Sequence, residues 1–110
     1  MLTGNSSIAK SIQSALHLYK VIGEETNPLK ELLINLTDAI KNPSNKFDKK
    51  KDRSRFSMDS YYPVLSGVLD KSEETKYIKQ TLEKFYVSDL GIKCVSDQPW
   101  VTVAETCEFV

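Results

Sequence analysis

Apolar residues recur at helical spacing through the first part of the chain. One stripe covers residues 8–22 and stops at Gly23, which is a typical helix end. A second stripe covers residues 29–40, behind the cap residue Asn27 and a proline at the first helical position, and a further Asn-Pro pair ends it. Because only a few residues join the stripes, the pattern predicts an antiparallel helical hairpin over residues 6–41.

A polar connection follows over residues 42–58 and contains the basic run "KFDKKKDRSRF". Such a run is compatible with a phosphate-binding patch, or with a solvated loop whose charge is partly offset by Asp48 and Asp52. Nucleic-acid binding favours aromatic residues interleaved with the basic ones, or a basic helix face, and the run has neither. The pattern therefore predicts a solvated loop and no nucleic-acid partner.

Two further amphipathic segments predict a second hairpin over residues 59–88. Pro63 is expected to open its first helix, in which Gly67 is a weak point or a site of close helix contact. Asp70 and Glu73 have the spacing of a capping box for the next helix. The apolar stripe of that helix contains Tyr77, Ile78, Leu82, Phe85 and Tyr86.

The remaining residues predict a connector, 89–101, and a short truncated helix, 102–110. A glycine turn followed by alternating apolar residues in the connector fits either a strand or an irregular link. Thr102 and Glu105 have capping-box spacing. The apolar face of the last helix needs something to pack on, so we expect a segment of a longer helical-hairpin protein, naturally truncated or completed by a partner chain. The predicted fold class is all-α, built from antiparallel helical hairpins.

Composition and charge indicate an ordinary soluble domain. Apolar residues make up 40% of the 110 residues and charged residues 27%, and fifteen basic side chains balance fifteen acidic ones. Net charge therefore favours neither nucleic acid nor an anionic membrane. The N-terminus lacks the basic and apolar regions of a secretory signal, and no apolar run reaches membrane-spanning length. These features predict a cytoplasmic protein.

Metal and thiol chemistry are not expected. His17 is the only histidine, and it has no cysteine or histidine close to it in the sequence. Cys94 and Cys107 lack the histidine or lysine neighbour of an activated thiol, so they are interpreted as reduced packing residues. No cofactor is predicted.

Three blocks carry a resemblance to a known family: "LTGNSSIAKSIQSAL", "RFSMDSYYPVLSGVL" and "GIKCVSDQPWVTVAETCEFV". In this order they resemble an interior stretch of bacterial proteins described as prenyltransferase-like or terpenoid-cyclase-like. Those proteins have an (α/α)6 toroid that is similar to the fold of six-hairpin glycosidases. The resemblance covers nearly the whole chain, with residues 20–54 the least distinctive. It implies a partial toroid whose helix ends line a central cavity, with "SMDSYYP" and "PWVTVAETCE" at such ends.

Asp59 is the leading candidate for chemistry. A carboxylate beside Tyr61 and Tyr62 is suited to act as a general acid or base, or to hold a sugar hydroxyl. The alternative is a helix N-cap that satisfies free backbone N–H groups.

Glu105 is the second candidate. Glycosidases commonly use two carboxylates that flank the scissile bond, and Asp59 with Glu105 would be such a pair. The alternative for Glu105 is its capping box with Thr102. Glu108 is expected on an adjacent face of the helix.

Four further residues are candidates for substrate binding. Trp100, Tyr61 and Tyr62 are suited to stack on sugar rings, and the alternative is that they anchor the core. Arg55 is suited to bind a carboxylate or phosphate through two hydrogen bonds, and its alternative is an ion pair with Asp59 or Asp97.

Two functional hypotheses follow. The first is a segment of an (α/α) toroid enzyme that binds or hydrolyses a carbohydrate, with an isoprenoid as the competing substrate class. An Asp-rich diphosphate-binding repeat would favour the isoprenoid alternative, and the sequence contains none. The second is a non-catalytic helical interaction module. It predicts an exposed apolar patch near residues 103–110 and self-association through that patch.

Overall fold

The computed structural model describes residues 1–24, 26–43, 46–47 and 52–110. The fold of this part of the chain is all-α, as predicted. No helix within it has both the length and the apolar character needed to cross a bilayer. Asp48 and the basic residues 49–51, on which the solvated-loop prediction rests, lie outside the described residues. The elements in chain order are α1 (Leu2–Val21), α2 (Asn27–Lys41), α3 (Met58–Leu65), α4 (Lys71–Phe85), β1 (Tyr86–Val87), β2 (Gly91–Ile92) and α5 (Val103–Phe109).

The first four helices form two hairpins that lie side by side. α1 packs on α2, α3 packs on α4, and α1 also packs along α3. The Thr3 N–H meets Asp59 near the starts of α1 and α3, and Gln13 Nε2 donates to the Ser66 carbonyl, 3.0 Å away, near the end of α3. The two helices therefore run in the same direction. Closure of further hairpins into a toroid stays a prediction.

The turn between α1 and α2 uses the predicted glycine. Gly23 has φ +76°, and the Glu24 N–H donates to the Tyr19 carbonyl at 2.9 Å, a bond typical of a left-handed helix end. α2 begins one residue earlier than the proline signal indicates. Thr26 is its N-cap, so Asn27 already lies inside the first helical turn.

The prediction that Pro63 opens a helix is wrong. α3 begins at Met58, and Pro63 lies inside it and is buried. A proline has no N–H to donate to the carbonyl four residues back, so it weakens a helix, and α3 is correspondingly short. Gly67 lies just beyond the helix at φ +70°, where it turns the chain toward α4.

An apolar cluster holds the two hairpins together. It contains Leu2, Ala9, Ile40 and Leu69. Further buried apolar side chains are those of Tyr61, Phe85, Ile92 and Val95. Burial of this kind stabilises a small domain by about 25 cal/mol per Å² of apolar surface.

The predicted apolar stripe of α4 is only partly buried. Phe85 is buried and Tyr77 half-buried, but Ile78, Leu82 and Tyr86 are 38%, 40% and 53% exposed. The inward position of α4 is taken by Thr81, whose hydroxyl lies 2.9 Å from Ser60 Oγ. A buried hydroxyl is tolerated because it has this partner.

Strand β2 lies in the connector, so the strand alternative is correct there. It pairs antiparallel with β1, which begins at Tyr86, a residue that was predicted to lie on the helix. Tyr86 pairs with Ile92 and Val87 with Gly91. Gly91 has φ +123°, and a Cβ at this position would lie 2.7 Å from Thr106 Cγ2. The Ile92 N–H donates to Thr106 Oγ1 at 3.0 Å. A residue without a side chain thus lets α5 approach β2 closely.

The cysteines are free, with Cys94 half-buried and Cys107 exposed. Cys107 is therefore not the packing residue that was predicted.

Candidate functional site

Asp59 lies in the first turn of α3, and its side chain is only 9% exposed. Arg53 Nε lies 2.9 Å from its Oδ2, and the Thr3 N–H donates to Oδ1 at 3.1 Å, with the Thr3 hydroxyl as a further donor. The Arg53 guanidinium also lies 4.7 Å from the centre of the Phe56 ring. Asp59 thus joins α1, α3 and the preceding loop.

The predicted alternative for Asp59 was a cap, and the structure places that role on a different helix. Ser57, not Asp59, is the N-cap of α3. The Thr3 N–H is one of the first-turn amides of α1, which have no partner within their own helix. Asp59 therefore caps α1 from across the helix pair, a contact that local sequence does not predict.

Asp59 also faces a groove of about 610 Å³, here called the Asp59 groove. It combines carboxylate, amide, ammonium and aromatic groups, which is the chemistry of a polar small-molecule site. Glu83 of α4 shares this groove and was not a sequence candidate. The side chains that give the groove its character are Phe56, Asp59, Tyr77, Gln80, Glu83 and Lys84.

Besides the surroundings of Asp59, a second cluster of polar and aromatic side chains forms where α5 meets α3. The hydroxyls of Tyr61 and Tyr62 donate to the two oxygens of Glu108, at 2.8 and 3.1 Å. The two rings lie 5.4 Å apart, and the Phe109 ring meets Tyr61 edge-on at 5.9 Å. Glu108 itself is exposed.

The electrostatics of this cluster keep its phenols protonated. Burial, followed by the hydrogen bond to Glu108, raises the pKa of Tyr61 well above its usual value. The same causes raise the pKa of Tyr62, and the negative charge of Glu105 adds to both shifts. Both tyrosines are therefore hydrogen-bond donors at neutral pH.

Glu105 belongs to this second cluster. Its carboxylate accepts a hydrogen bond from the Thr102 hydroxyl. Thr102 is the N-cap of α5, but its side chain makes no bond to the helix backbone, so the predicted capping box is incomplete. The described contacts of Asp59 and Glu105 have no residue in common.

The remaining candidates occupy different surroundings. Tyr61 is 2% exposed, so it is a core anchor, as its alternative predicted. Trp100 is 58% exposed, and its carbonyl accepts from the Cys94 N–H. Arg55 pairs with Asp97 at 2.9 Å, which confirms the ion-pair alternative with that residue.

Sequence reasoning missed three residues of these clusters. Arg53 contacts Asp59 from six residues earlier and Thr3 from another helix, and no sequence motif marks either contact. Glu108 carried a weak signal, because residues three apart share a helix face, and because two tyrosine hydroxyls need an acceptor when their rings are buried.

A further groove of about 520 Å³ runs between α1 and α3. We call it the serine groove. Within the described ranges, no three His, Cys, Asp or Glu side chains come together in a way that would hold a metal ion. The serine groove is lined by Ser6, Ser7, Lys10, Ser11, Ser14, Ala15, Leu18, Tyr62, Leu65 and Ser66.

Comparison with known proteins places the chain beside a carbohydrate-active enzyme. No protein-family model matches it. Along all of its 110 residues the chain is 42% identical to a protein of Mycolicibacterium hassiacum named MMP endo-(1,4)-3-O-methyl-alpha-D-mannosidase. The chain spans 30% of the length of that relative.

Proposed function

We propose that this chain is a segment of a glycoside hydrolase that acts on α-linked mannosides carrying O-methyl groups. The observation that carries the proposal is the 42% identity along the whole chain to a protein named as such a mannosidase. A shared fold alone would not support a shared reaction, because one scaffold hosts many chemistries. The proposal therefore depends also on the groups that line the grooves.

Asp59 is the proposed carboxylate on the substrate side of the Asp59 groove. Arg53 and Thr3 supply donors to both of its oxygens, an arrangement that fixes the orientation of the carboxylate at the groove. Glycoside hydrolysis requires a second carboxyl group as proton donor. Glu83 is our preferred partner because it lines the same groove, and Glu105 is the alternative from the sequence.

The proposal is tested in the longer mannosidase. The segment of the mycolicibacterial enzyme that matches this chain is replaced by the chain, and cleavage of an α-(1→4)-linked 3-O-methylmannose oligosaccharide is measured. We expect the chimera to cleave it. A folded chimera without activity contradicts the proposal.

The two candidate partners of Asp59 are separated by matched variants of this chimera. Glu83→Gln and Glu105→Gln change the same chemical group at different places. Loss of a general acid typically lowers kcat by about 10²–10⁴-fold. We expect that loss for Glu83→Gln and little change for Glu105→Gln, and the reverse result assigns the role to Glu105.

Exposed apolar side chains favour a second candidate, a helical interaction module. Val103 is 81% exposed and Leu90 68% exposed, and both line one surface groove. Surfaces of this kind commonly mark protein contacts. Concentration-dependent self-association, lost in Val103→Ser, would support this candidate. The comparison with the mannosidase supports the carbohydrate alternative and adds no support for an isoprenoid substrate.

A further inference from the structure

The serine groove carries a polar group that the fold leaves without a partner. Ser6 lines the groove and is 1% exposed, and its buried Oγ has no hydrogen-bond partner among the described residues. Its neighbours on α1 behave differently, since Ser7, Ser11 and Ser14 each donate to the carbonyl four residues back. Leaving a buried hydroxyl without a partner is unfavourable. A ligand hydroxyl that reaches this oxygen would supply the missing partner.

The walls of the groove differ in polarity. Serine hydroxyls and the Lys10 ammonium provide donors and acceptors along α1. Ala15, Leu18 and Leu65 provide an apolar wall at the other end, and Leu18 and Leu65 are 65% and 45% exposed. A sugar whose hydroxyls are partly methylated has the same division into polar and apolar groups.

Tyr62 supplies a flat surface held in a fixed orientation. Its half-buried ring lines the groove, and its hydroxyl is held by Glu108 at 3.1 Å. An aromatic ring that is already ordered loses little conformational freedom when a ligand packs on it. Pyranose rings have apolar C–H faces that pack on such surfaces.

We propose that the serine groove is a binding subsite for O-methylated hexopyranosides, separate from the Asp59 groove. Tyr62 packs on the ring, the α1 hydroxyls bind the free sugar hydroxyls, and the apolar wall with Leu18 receives the methyl group. This inference rests on the proposed function, because it takes its ligand class from that proposal. It adds a place on the molecule and a basis for selecting methylated over unmethylated sugars.

The test is an NMR titration of the isotope-labelled chain with two probes, methyl 3-O-methyl-α-D-mannopyranoside and methyl α-D-mannopyranoside. We expect saturable shifts of backbone amides along the groove, centred on Ser11 and Tyr62. Burial of one methyl group predicts about fourfold tighter binding of the methylated probe.

A matched pair of variants locates the selectivity. Leu18→Ala removes part of the apolar wall, and Leu32→Ala removes an exposed leucine of α2 that lies outside the groove. We expect Leu18→Ala to abolish the preference for the methylated probe and Leu32→Ala to leave it unchanged. Ser11→Trp, which fills the groove from an exposed position, should prevent binding of both probes.

Three outcomes overturn the inference: shifts confined to the Asp59 groove, no saturable shifts, or equal binding of both probes in the parent chain. The proposed function fails separately, through an inactive chimera. An active chimera whose cleavage is unaffected by Ser11→Trp would leave the function standing and reject the subsite. Groove binding with an inactive chimera would do the opposite.

Discussion

The carboxylates of Asp59 and Glu108 show how differently one chemical group can be used within a small fold. Asp59 is almost buried, and a guanidinium, a backbone amide and a hydroxyl bind it from two other segments. Glu108 is exposed, and two phenols of α3 bind it. Asp59 therefore links three segments of the fold at the edge of the Asp59 groove, whereas Glu108 lies on an exposed surface.

The difference between the two carboxylates shows that residues close in sequence need not contact each other in the fold. Asp59 attracts attention because it stands beside two tyrosines, yet those tyrosines bind Glu108 instead. Tyr61 follows Asp59 by two residues, which turns it about 200° around the helix to the opposite side. The environment of a carboxylate thus follows from packing rather than from its sequence neighbours.

The largest expected effect is that of Asp59→Asn. The change removes the charge that pairs with Arg53 and weakens the cap on α1, and breaking a largely buried ion pair costs about 3 kcal/mol. Urea denaturation followed by circular dichroism measures the free energy of unfolding. A loss below that of the control would show that Asp59 is not a structural junction.

The control for that variant is Asp97→Asn. It breaks the ion pair with Arg55, in which the two side chains are 48% (Arg55) and 54% (Asp97) exposed. Exposed pairs contribute at most about 1 kcal/mol, so the unfolding midpoint should change little.

The next effect tests how α5, and with it Glu108, is attached. Gly91→Ala places a Cβ against Thr106 at a positive φ, and we expect a loss of about 2 kcal/mol from overpacking and backbone strain. Gly4→Ala is the matched control: no atom lies within 4 Å of its added Cβ, and alanine is favoured inside a helix by about 1 kcal/mol. Equal stability of both variants would mean that α5 does not pack on β2 as described.

A smaller effect distinguishes the two tyrosines that bind Glu108. Tyr61→Phe removes a buried hydrogen bond to a carboxylate and should cost about 1.5 kcal/mol. Tyr62→Phe removes the longer and more exposed bond and should cost about 0.5 kcal/mol. Denaturation in urea measures both, and a larger loss for Tyr62→Phe would reverse the assignment of Tyr61 as the anchor.

The last predicted effect is that of pH on the free energy of unfolding, and it appears only in alkaline solution. The raised pKa of Tyr61 means that the folded chain keeps a proton which the unfolded chain loses above the ordinary tyrosine pKa of 10.0. This contribution to stability is complete below that pH and is lost as the pH rises further. The denaturation midpoint should therefore fall in alkali, and less steeply in Tyr61→Phe. An equal fall in both chains would contradict the raised pKa.

Local features of the fold were predictable because their causes are local. Asp70 accepts from the backbone N–H groups of Ser72 and Glu73, and the Glu73 side chain accepts from the Asp70 N–H, so that capping box is confirmed. The stop at Gly23 is confirmed for the same reason. In both cases the residues that form the bonds are only a few positions apart in the sequence.

The missed features depend on contacts between distant segments. A proline is common at the first position of a helix. Pro63 lies inside α3 instead, where it and Tyr61 are buried. Asp59 resembles a local cap, but its partners are Arg53 and Thr3, the latter on another helix. Such pairings are fixed by how the hairpins stack, which a single sequence does not encode in any short pattern.

Calorimetric titration of the chain with an α-(1→4)-linked 3-O-methylmannose oligosaccharide tests the central claim most directly. An α-(1→4)-linked glucose oligosaccharide of the same length serves as the comparison. We predict saturable binding of the methylated mannoside to the folded chain and much weaker binding of the glucoside. Absence of binding, or equal binding of both, would contradict the claim that this chain carries a site for methylated mannosides.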